Sequence, residues 1–360
     1  MTDKNQRQFF PEIETLRAIA VIMVMLAHFI PKTSAFHIPY MFYGVDLFFT
    51  ISGFLITYIL LGQIEANQHS SGGLIKNFFV RRVLRLFPVY YAFIGFFFIL
   101  RNVFSVYIWT NDYNLYFFSY LQNMYYFYQG ALNTSFSHLW SLGVEEQFCL
   151  VWPFLVIFIP KRHLVKVFVL FIVSSILLNV IYQPTVDAFR VLTVANLHTL
   201  GGGALLAFLL RYRDQSKVYQ FLVNNRLMLL VLSLAVFVIT LNYQGAIKEV
   251  QILLIELFLA FTTFMAVLIS IHGWPSVFGS LFRSRHVQHI GKVSYGIYLF
   301  HMLIPVVLSI IIEKVPIMKF LLPEQIMLRV FLLIVYSYVL AIISYNAYEI
   351  HFLKLKARFN

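Results

Sequence analysis

Residues 14–31 read ETLRAIAVIMVMLAHFIP, an apolar stretch with the composition of a membrane helix that also carries Arg17 and His28. Ionisable side chains are costly inside a bilayer and usually face a cavity or a partner. Eleven residues at ~100° each make three helical turns and ~20°, so both side chains leave the same helix face. Along the axis they are roughly 16 Å apart, about half of the ~30 Å hydrocarbon core. We therefore expect this helix to present a fixed positive charge at one depth and a proton-transfer group at another.

The composition of the whole chain extends this expectation to a membrane-embedded fold. Of 360 residues, 60% are hydrophobic and 12% are charged, whereas soluble domains carry about 25% charged residues. Apolar stretches long enough to span a bilayer lie at roughly 11–30, 41–62, 83–101, 145–160, 164–182, 193–211, 225–242, 249–271, 294–313 and 324–348. The sequence therefore predicts an all-α polytopic membrane protein with about ten transmembrane helices in a single domain over residues 1–360. The aromatic stretch 115–128 is compatible with an additional re-entrant or interfacial helix.

The positive charge of the chain follows its predicted topology. The net charge is +12, and with a cytoplasmic N-terminus most of the 27 Lys and Arg residues fall in segments predicted to lie inside. This asymmetry is the positive-inside pattern, and it places both termini in the cytoplasm. The net positive charge thus reflects membrane topology, and nucleic acid is not an expected partner. The single cysteine, Cys149, excludes an internal disulfide, and no spacing of ligand side chains indicates a metal site.

His28 and Asp46 are the first candidate pair. The predicted topology puts both near the outer surface, and the short loop between them contains the helix breakers Pro31 and Pro39. We therefore expect the two side chains to meet. A neutral imidazole accepts a hydroxyl proton while a carboxylate holds its other N–H, so the pair has the parts of a general base. The alternative is an interfacial histidine beside an aspartate that caps a helix.

Arg17, Arg82 and Arg85 are predicted to lie on the inner side. Arg82 and Arg85 are spaced i, i+3 and share a helix face. Because the guanidinium fork suits phosphate, the three arginines together form a candidate anion site. The alternatives are that Arg17 pairs with Glu14 and that the other two serve topology alone.

The segment SHLWSLGVEEQF, residues 137–148, is predicted to lie on the outer side. Glu145 and Glu146, with Trp140 and His138, resemble a polar lip that grips a sugar by carboxylate hydrogen bonds and aromatic stacking. The alternative is the entry of an amphipathic helix with Ser141 as its N-cap.

Other polar residues are more simply interpreted as hydrogen-bonding residues inside the helix bundle. They are His198, Glu256 and His301, the last beside Tyr298. Glycines 201–203 are expected to permit close helix packing.

Taken in order, these blocks resemble acyltransferase family 3, whose members are membrane acyltransferases of surface polysaccharides. The resemblance covers essentially the whole chain and rests on Arg17-x10-His28, GxDxFFxxSGFL from Gly44 to Leu55, RxxR at Arg82 and Arg85, HLWSLxxEEQF from His138 to Phe148, SYGIYLFH from Ser294 to His301, and YEIHFLKLKARF from Tyr348 to Phe359. No single block is specific, but all of them in this order are.

The resemblance implies transfer of an acyl group, commonly acetyl from acetyl-CoA, to a hydroxyl of an extracytoplasmic glycan or glycolipid such as an exopolysaccharide or O-antigen. It further implies a multi-pass protein of the bacterial inner (plasma) membrane and no metal cofactor. His28 is then the general base with Asp46 as its partner, and Arg17, Arg82 and Arg85 hold the CoA phosphates. Trp140, Ser141, Glu145 and Glu146 are expected near the acceptor. Many members also carry an esterase-like C-terminal domain, and the present sequence is expected to deliver acyl groups directly.

The expected mechanism follows from the predicted depths of the arginines and His28 in the membrane. The charged head of acyl-CoA stays with the inner arginines while its pantetheine arm of ~15–20 Å, comparable to the ~16 Å between Arg17 and His28, threads the bundle. Direct transfer is then feasible, and a covalent acyl-enzyme is left open. The alternative function is a proton-coupled secondary transporter or flippase of a glycan or lipid-linked intermediate, which also uses intramembrane charges.

Overall fold

The structure is a computed structural model that describes residues 10–66, 70–104, 113–130, 136–186, 188–243, 245 and 247–356. The predicted cytoplasmic terminal segments, 1–9 and 357–360, lie outside the described residues. Regular structure within the described ranges is entirely helical. The α-helices are α1 Pro11–Phe29, α2 Gly44–Ala66, α3 Ser71–Phe104, α4 Tyr113–Phe118, α5 Gln122–Gln129, α6 Trp140–Phe158, α7 Lys161–Tyr182, α8 Leu197–Tyr212, α9 Lys217–Asn224, α10 Arg226–Asn242, α11 Lys248–His272, α12 Ser276–Phe282, α13 Arg285–Lys292, α14 Ser294–Phe300, α15 Leu303–Lys314, α16 Ile326–Ser344 and α17 Ile350–Lys356. Single 3-10 turns at Pro39–Tyr43, Ser137–Leu139, Phe189–Val191, Thr193–Asn196 and Pro316–Leu321 and a π-helical turn at Tyr345–Glu349 connect some of them.

Helix length and hydropathy confirm an integral multi-pass membrane protein of the all-α class. Among the described residues seven helices, namely α2, α3, α6, α7, α8, α11 and α16 with their flanking turns, are long and apolar enough to cross a bilayer. If each of the bent pairs α9–α10 and α14–α15, with angles of 76° and 44°, is counted as one span, the number rises to nine. The predicted span 11–30 corresponds to α1, which falls outside this set because Glu12, Glu14 and Arg17 put three charges into its 19 residues. The stretch 115–128 forms the short helices α4 and α5.

Helix α2 lies at the centre of the bundle and packs against α1, α3, α6, α8 and α11. Its contact with α8 is backbone to backbone, because a Cβ on Gly53 would lie 2.0 Å from the Leu200 carbonyl oxygen and one on Gly203 2.0 Å from the Thr50 carbonyl oxygen. Close approach of this kind replaces the hydrophobic effect as the source of helix association inside lipid. The close packing predicted for residues 201–203 is therefore found at Gly203.

Helix α1 is held on both sides. It packs against α2 on one side and against α13 on the other, where a Cβ on Gly291 would lie 1.7 Å from the Glu14 carbonyl oxygen. Helices α14 and α16 also contact α1. The predicted span 294–313 is broken between α14 and α15 at His301 and Met302, which brings His301 towards the His28 end of α1.

Candidate active site

Polar side chains from α1, α3 and α6 line one cavity that α2 and α14 complete. Arg17 reaches it from α1, Arg82 and Arg85 from α3, and Ser141 and Glu145 from α6. The space, including its open mouth, is about 790 Å³. We call it the arginine cavity. The structure thus brings these five predicted site residues around one space.

Arg82 is neutralised by the two glutamates of α6. Its Nη2 lies 2.8 Å from Glu146 Oε1 and 3.3 Å from Glu145 Oε1, and its Nε donates to Glu146 Oε2 at 3.0 Å. The prediction that the arginines and glutamates occupy opposite membrane faces is therefore wrong. Helix α3 begins at Ser71, well before the predicted span, so Arg82 lies roughly 16 Å along the helix instead of in a cytoplasmic loop.

The other two arginines differ in their pairing. Arg17 Nη1 lies 3.2 Å from Glu14 Oε2, which is the i, i+3 pair considered as an alternative from the sequence, yet Arg17 also lines the cavity. Arg85 is exposed and makes no hydrogen bond or ion pair within the part of the chain that the structure describes. Of the charged groups lining the arginine cavity, three are guanidinium groups and one, Glu145, is a carboxylate. Since Arg17 and Arg82 are paired with carboxylates, Arg85 is the lining guanidinium whose positive charge is left to bind an anion such as a phosphate.

A chain of hydroxyl groups forms another wall of the arginine cavity. Ser141 Oγ lies 2.5 Å from Tyr298 Oη, and the Tyr298 hydroxyl donates to the His138 carbonyl oxygen at 2.7 Å. On the α6 side Ser52 donates to Glu145 Oε1 at 3.0 Å. Ser141 is not the N-cap of α6, since Leu139 occupies that position.

Three histidines from different segments converge behind Tyr298. The ring centroids of His28 and His301 are 5.0 Å apart, those of His138 and His301 4.7 Å, and those of His28 and His138 6.3 Å. The Tyr298 ring lies 5.7 Å from the rings of both His138 and His301. His28 itself does not line the arginine cavity. No group of three or more His, Cys, Asp or Glu side chains in the described ranges is arranged to hold a metal ion.

The hydrogen bonds of the histidines fix their tautomers when the rings are neutral. His28 Nδ1 lies 2.8 Å from the Val24 carbonyl oxygen, and His301 Nδ1 lies 2.7 Å from the Tyr298 carbonyl oxygen. Because a carbonyl oxygen only accepts, each Nδ1 carries the proton and each Nε2 has a free lone pair. His301 Nε2 lies 3.3 Å from His28 Nδ1 and so accepts from it. The Nε2 of half-buried His28 has no partner among the described residues, which leaves it available as a proton acceptor.

Asp46 is not the partner of His28, and the predicted contact between them is wrong. Asp46 Oδ2 lies 2.9 Å from Arg190 Nη2, and Arg190 Nη1 lies 3.3 Å from Glu256 Oε1. His198 Nε2 lies 2.9 Å from Glu256 Oε2. Burial alone lowers the pKa of the Arg190 guanidinium, but the carboxylates of Asp46 and Glu256 outweigh that effect and raise it. Asp46 thus belongs to a separate buried charge cluster between α2, α8 and α11.

The periodicity of α2 explains this outcome. Asp46, Thr50 and Gly53 are spaced i, i+4, i+7 and share the face that packs against α8 and α11, where Thr50 donates to Thr263 Oγ1 at 2.9 Å. Phe49 and Ser52 lie on an adjoining side of the helix and line the arginine cavity.

Trp140 also differs from its prediction. Its side chain is 6% exposed and its ring lies 6.0 Å from that of Phe49, so it is a core residue and not part of an open lip. Reasoning from the sequence missed His138 and Tyr298 as neighbours of the candidate base. The available signal was their position in the two blocks HLWSL and SYGIYLFH, which place them next to Ser141 and His301.

Comparison with known proteins gives a family and several relatives. The profile described as an acyltransferase domain matches residues 10–346. The peptidoglycan O-acetyltransferase OatA of Listeria monocytogenes is 32% identical over 324 residues, which cover 83% of this chain and 50% of that protein. The O-acetyltransferase OatA of Staphylococcus aureus is 28% identical over 320 residues, with 82% and 50% covered. The putative peptidoglycan O-acetyltransferase YrhL of Bacillus subtilis is 26% identical over 379 residues, with 97% and 56% covered.

The chain thus spans about half the length of the curated relatives it matches. No solved structure matches it at a significant level.

Proposed function

The chain belongs to the acyltransferase domain family, and from this premise we propose that it is a membrane O-acetyltransferase of a cell-wall or other surface glycan. The donor in this proposal is acetyl-CoA or another acyl-CoA from the cytoplasm, and the membrane is the bacterial inner (plasma) membrane. The observation that carries the proposal is the arginine cavity, which joins three guanidinium groups to a hydroxyl chain beside three histidines. The relatives named above, described as O-acetyltransferases, support the choice of acetyl group and glycan.

The charge of the arginine cavity supports a CoA thioester as donor. CoA carries several phosphate charges, and a binding site for it needs cationic groups that are not already neutralised. Arg85 is such a group because it has no partner among the described residues, whereas Arg82 is held by Glu145 and Glu146. In the proposed complex Arg85 contacts the phosphates, Arg17 lies beside it in its pair with Glu14, and Arg82 with its carboxylates forms a fixed wall.

His28 is the proposed general base, supported by His301 instead of Asp46. The acceptor oxygen attacks the thioester carbonyl carbon while His28 Nε2 removes the hydroxyl proton. His301 Nε2 accepts from Nδ1–H of the resulting imidazolium and stabilises it. When the carbon–sulfur bond breaks, the imidazolium returns the proton to the CoA sulfur, leaving an ester on the acceptor and a free CoA thiol. Tyr298 lines the cavity and its ring lies 5.7 Å from the rings of His138 and His301, so in the proposed cycle the thioester approaches the histidines past this side chain.

The test is acyl transfer by the full chain reconstituted in liposomes. Acetyl-CoA labelled in the acetyl group is supplied with peptidoglycan fragments and other surface glycans, and the label on the glycan is measured. Label is expected on one glycan class with wild-type protein and not with His28→Ala. Transfer by His28→Ala at the wild-type rate would contradict the base assignment. Movement of unmodified glycan across the membrane without labelling would instead favour the transporter predicted as the alternative.

A further inference from the structure

A second cavity lies on the other side of Arg82. It is lined by α3, α6 and the segment between α4 and α5, and its space, open mouth included, is about 650 Å³. Arg82 borders both this cavity and the arginine cavity, and Glu146 borders this one. We call it the side cavity. Arg82, paired with Glu145 and Glu146, is thus a wall residue of both spaces.

The mouth of the side cavity opens towards lipid. Val83, Leu121 and Leu150 line it and are 40%, 39% and 62% exposed. Val83 and Leu150 lie within the spanning segments Ser71–Ile99 and Ser137–Phe158. Apolar side chains exposed on the outside of a spanning helix face the hydrocarbon of the bilayer. A ligand of this cavity therefore arrives sideways from the membrane and carries an apolar chain.

Tyr120, in the wall of the side cavity, has a buried hydroxyl without a hydrogen-bond partner among the described residues. Its side chain is 6% exposed. Burial raises the pKa of this hydroxyl, so it stays a neutral donor. A buried hydroxyl is costly to leave unpaired. The backbone of Tyr120 has φ 56°, a conformation that residues other than glycine rarely adopt. Such outliers cluster at ligand sites.

The charges around the side cavity select its ligand. The charged residues that line it are Arg82 and Glu146, which neutralise each other, and Glu145 adds a second carboxylate behind them. No excess positive charge is present to hold a phosphate, in contrast to the arginine cavity. Carboxylates and a tyrosine hydroxyl instead suit neutral hydroxyl groups.

We propose that the side cavity binds a membrane lipid with a neutral, hydroxyl-bearing head group, its chain along Val83, Leu121 and Leu150 and a head-group oxygen on the Tyr120 hydroxyl. The lipid enters laterally and reaches the wall that the donor site shares. Its assignment as the acyl acceptor rests on the proposed function, but its binding does not. A sugar or a glycerol head would satisfy this chemistry, and the experiment separates the two.

The test is photolabelling of the full chain without any acyl donor, so that its failure is distinct from failure of acyl transfer. Nanodiscs of phosphatidylcholine carry one of three lipids with a diazirine in the acyl chain: monoglucosyldiacylglycerol, diacylglycerol or phosphatidylglycerol. Labelled residues are mapped by mass spectrometry. The glycolipid is expected to label the walls of the side cavity more than the outer face of α7, and phosphatidylglycerol is not. Stronger labelling by diacylglycerol than by the glycolipid would assign a glycerol head to the site.

Two substitutions and one control test which residues hold the lipid. Leu150→Trp fills the mouth and is expected to remove the labelling at Leu121, whereas Leu170→Trp, at a lipid-facing residue of α7 that is 61% exposed, is not. Tyr120→Phe keeps the ring and is expected to weaken glycolipid labelling roughly three- to tenfold, the value of one hydrogen bond. Equal labelling of α7 and the side cavity, equal labelling by phosphatidylglycerol, or no effect of Tyr120→Phe would overturn the proposal.

Discussion

Replacing Arg85 by alanine should weaken the binding of acyl-CoA without weakening the fold. In the structure Arg85 is exposed and makes no hydrogen bond or ion pair with the described residues, so its removal breaks none. A hydrogen bond to a charged group contributes about 1.5–3 kcal/mol, equivalent to roughly a 10- to 100-fold change in affinity. We expect the lower end, a rise of about tenfold in KM for acyl-CoA, because Arg17 and Arg82 still line the cavity.

Arg82→Ala is the matched control, because Arg82 lies one helical turn away and lines the same cavity. Its removal leaves Glu145 and Glu146, whose side chains are 24% and 14% exposed, without the cation that holds them. Breaking a buried ion pair costs about 3–5 kcal/mol, so this variant should lose thermal stability.

The assay is steady-state transfer in liposomes at varied acetyl-CoA, together with thermal unfolding of each variant in detergent. Arg85→Ala should change KM for acyl-CoA with the unfolding temperature retained, and Arg82→Ala should lower the unfolding temperature. A normal KM in Arg85→Ala, or an effect on KM for the glycan alone, would refute the placement of the donor phosphates.

Three further substitutions separate the roles assigned above. His301→Ala should lower kcat with little change in KM for acyl-CoA or for the glycan, since it removes a group that stabilises the His28 imidazolium. pH–rate profiles check this, and a wild-type kcat would exclude the role. Asp46→Asn should lower the unfolding temperature by breaking a buried pair worth about 3–5 kcal/mol; a stable variant with low kcat would restore Asp46 as partner of His28. Gly203→Val should prevent folding, because its Cβ would lie 2.0 Å from the Thr50 carbonyl oxygen. The control Gly202→Ala should fold, because a Cβ at Gly202 meets no atom within 4 Å. Size-exclusion profiles of the two variants in detergent compare their folding.

Hydropathy predicted most of the helices because spanning a bilayer requires long apolar segments. The predicted segments 164–182, 225–242 and 249–271 differ from α7, α10 and α11 by no more than a few residues. The start of α3 was missed because hydropathy falls across its basic residues, although nothing there breaks the helix. This error contributed to the wrong prediction that Arg82 and the two glutamates of α6 lie on opposite membrane faces.

The contacts of the site depended on how each helix is rotated about its axis. Asp46 and Ser52 lie on the same helix but face different neighbours, and the decisive feature is the close approach at Gly53. The i, i+11 spacing of Arg17 and His28 predicted their shared helix, but their immediate partners come from distant segments. His301, which contacts His28, lies at the bend between α14 and α15, and hydropathy does not show such a bend.

The most direct measurement is an electron cryomicroscopy map of the full chain in nanodiscs with a non-transferable acetyl-CoA analogue. We expect density for the analogue in the arginine cavity, with its phosphates at Arg85 and its thioester position beside Tyr298. Density for the analogue outside this cavity, or an acyl end turned away from His28, would contradict this expectation.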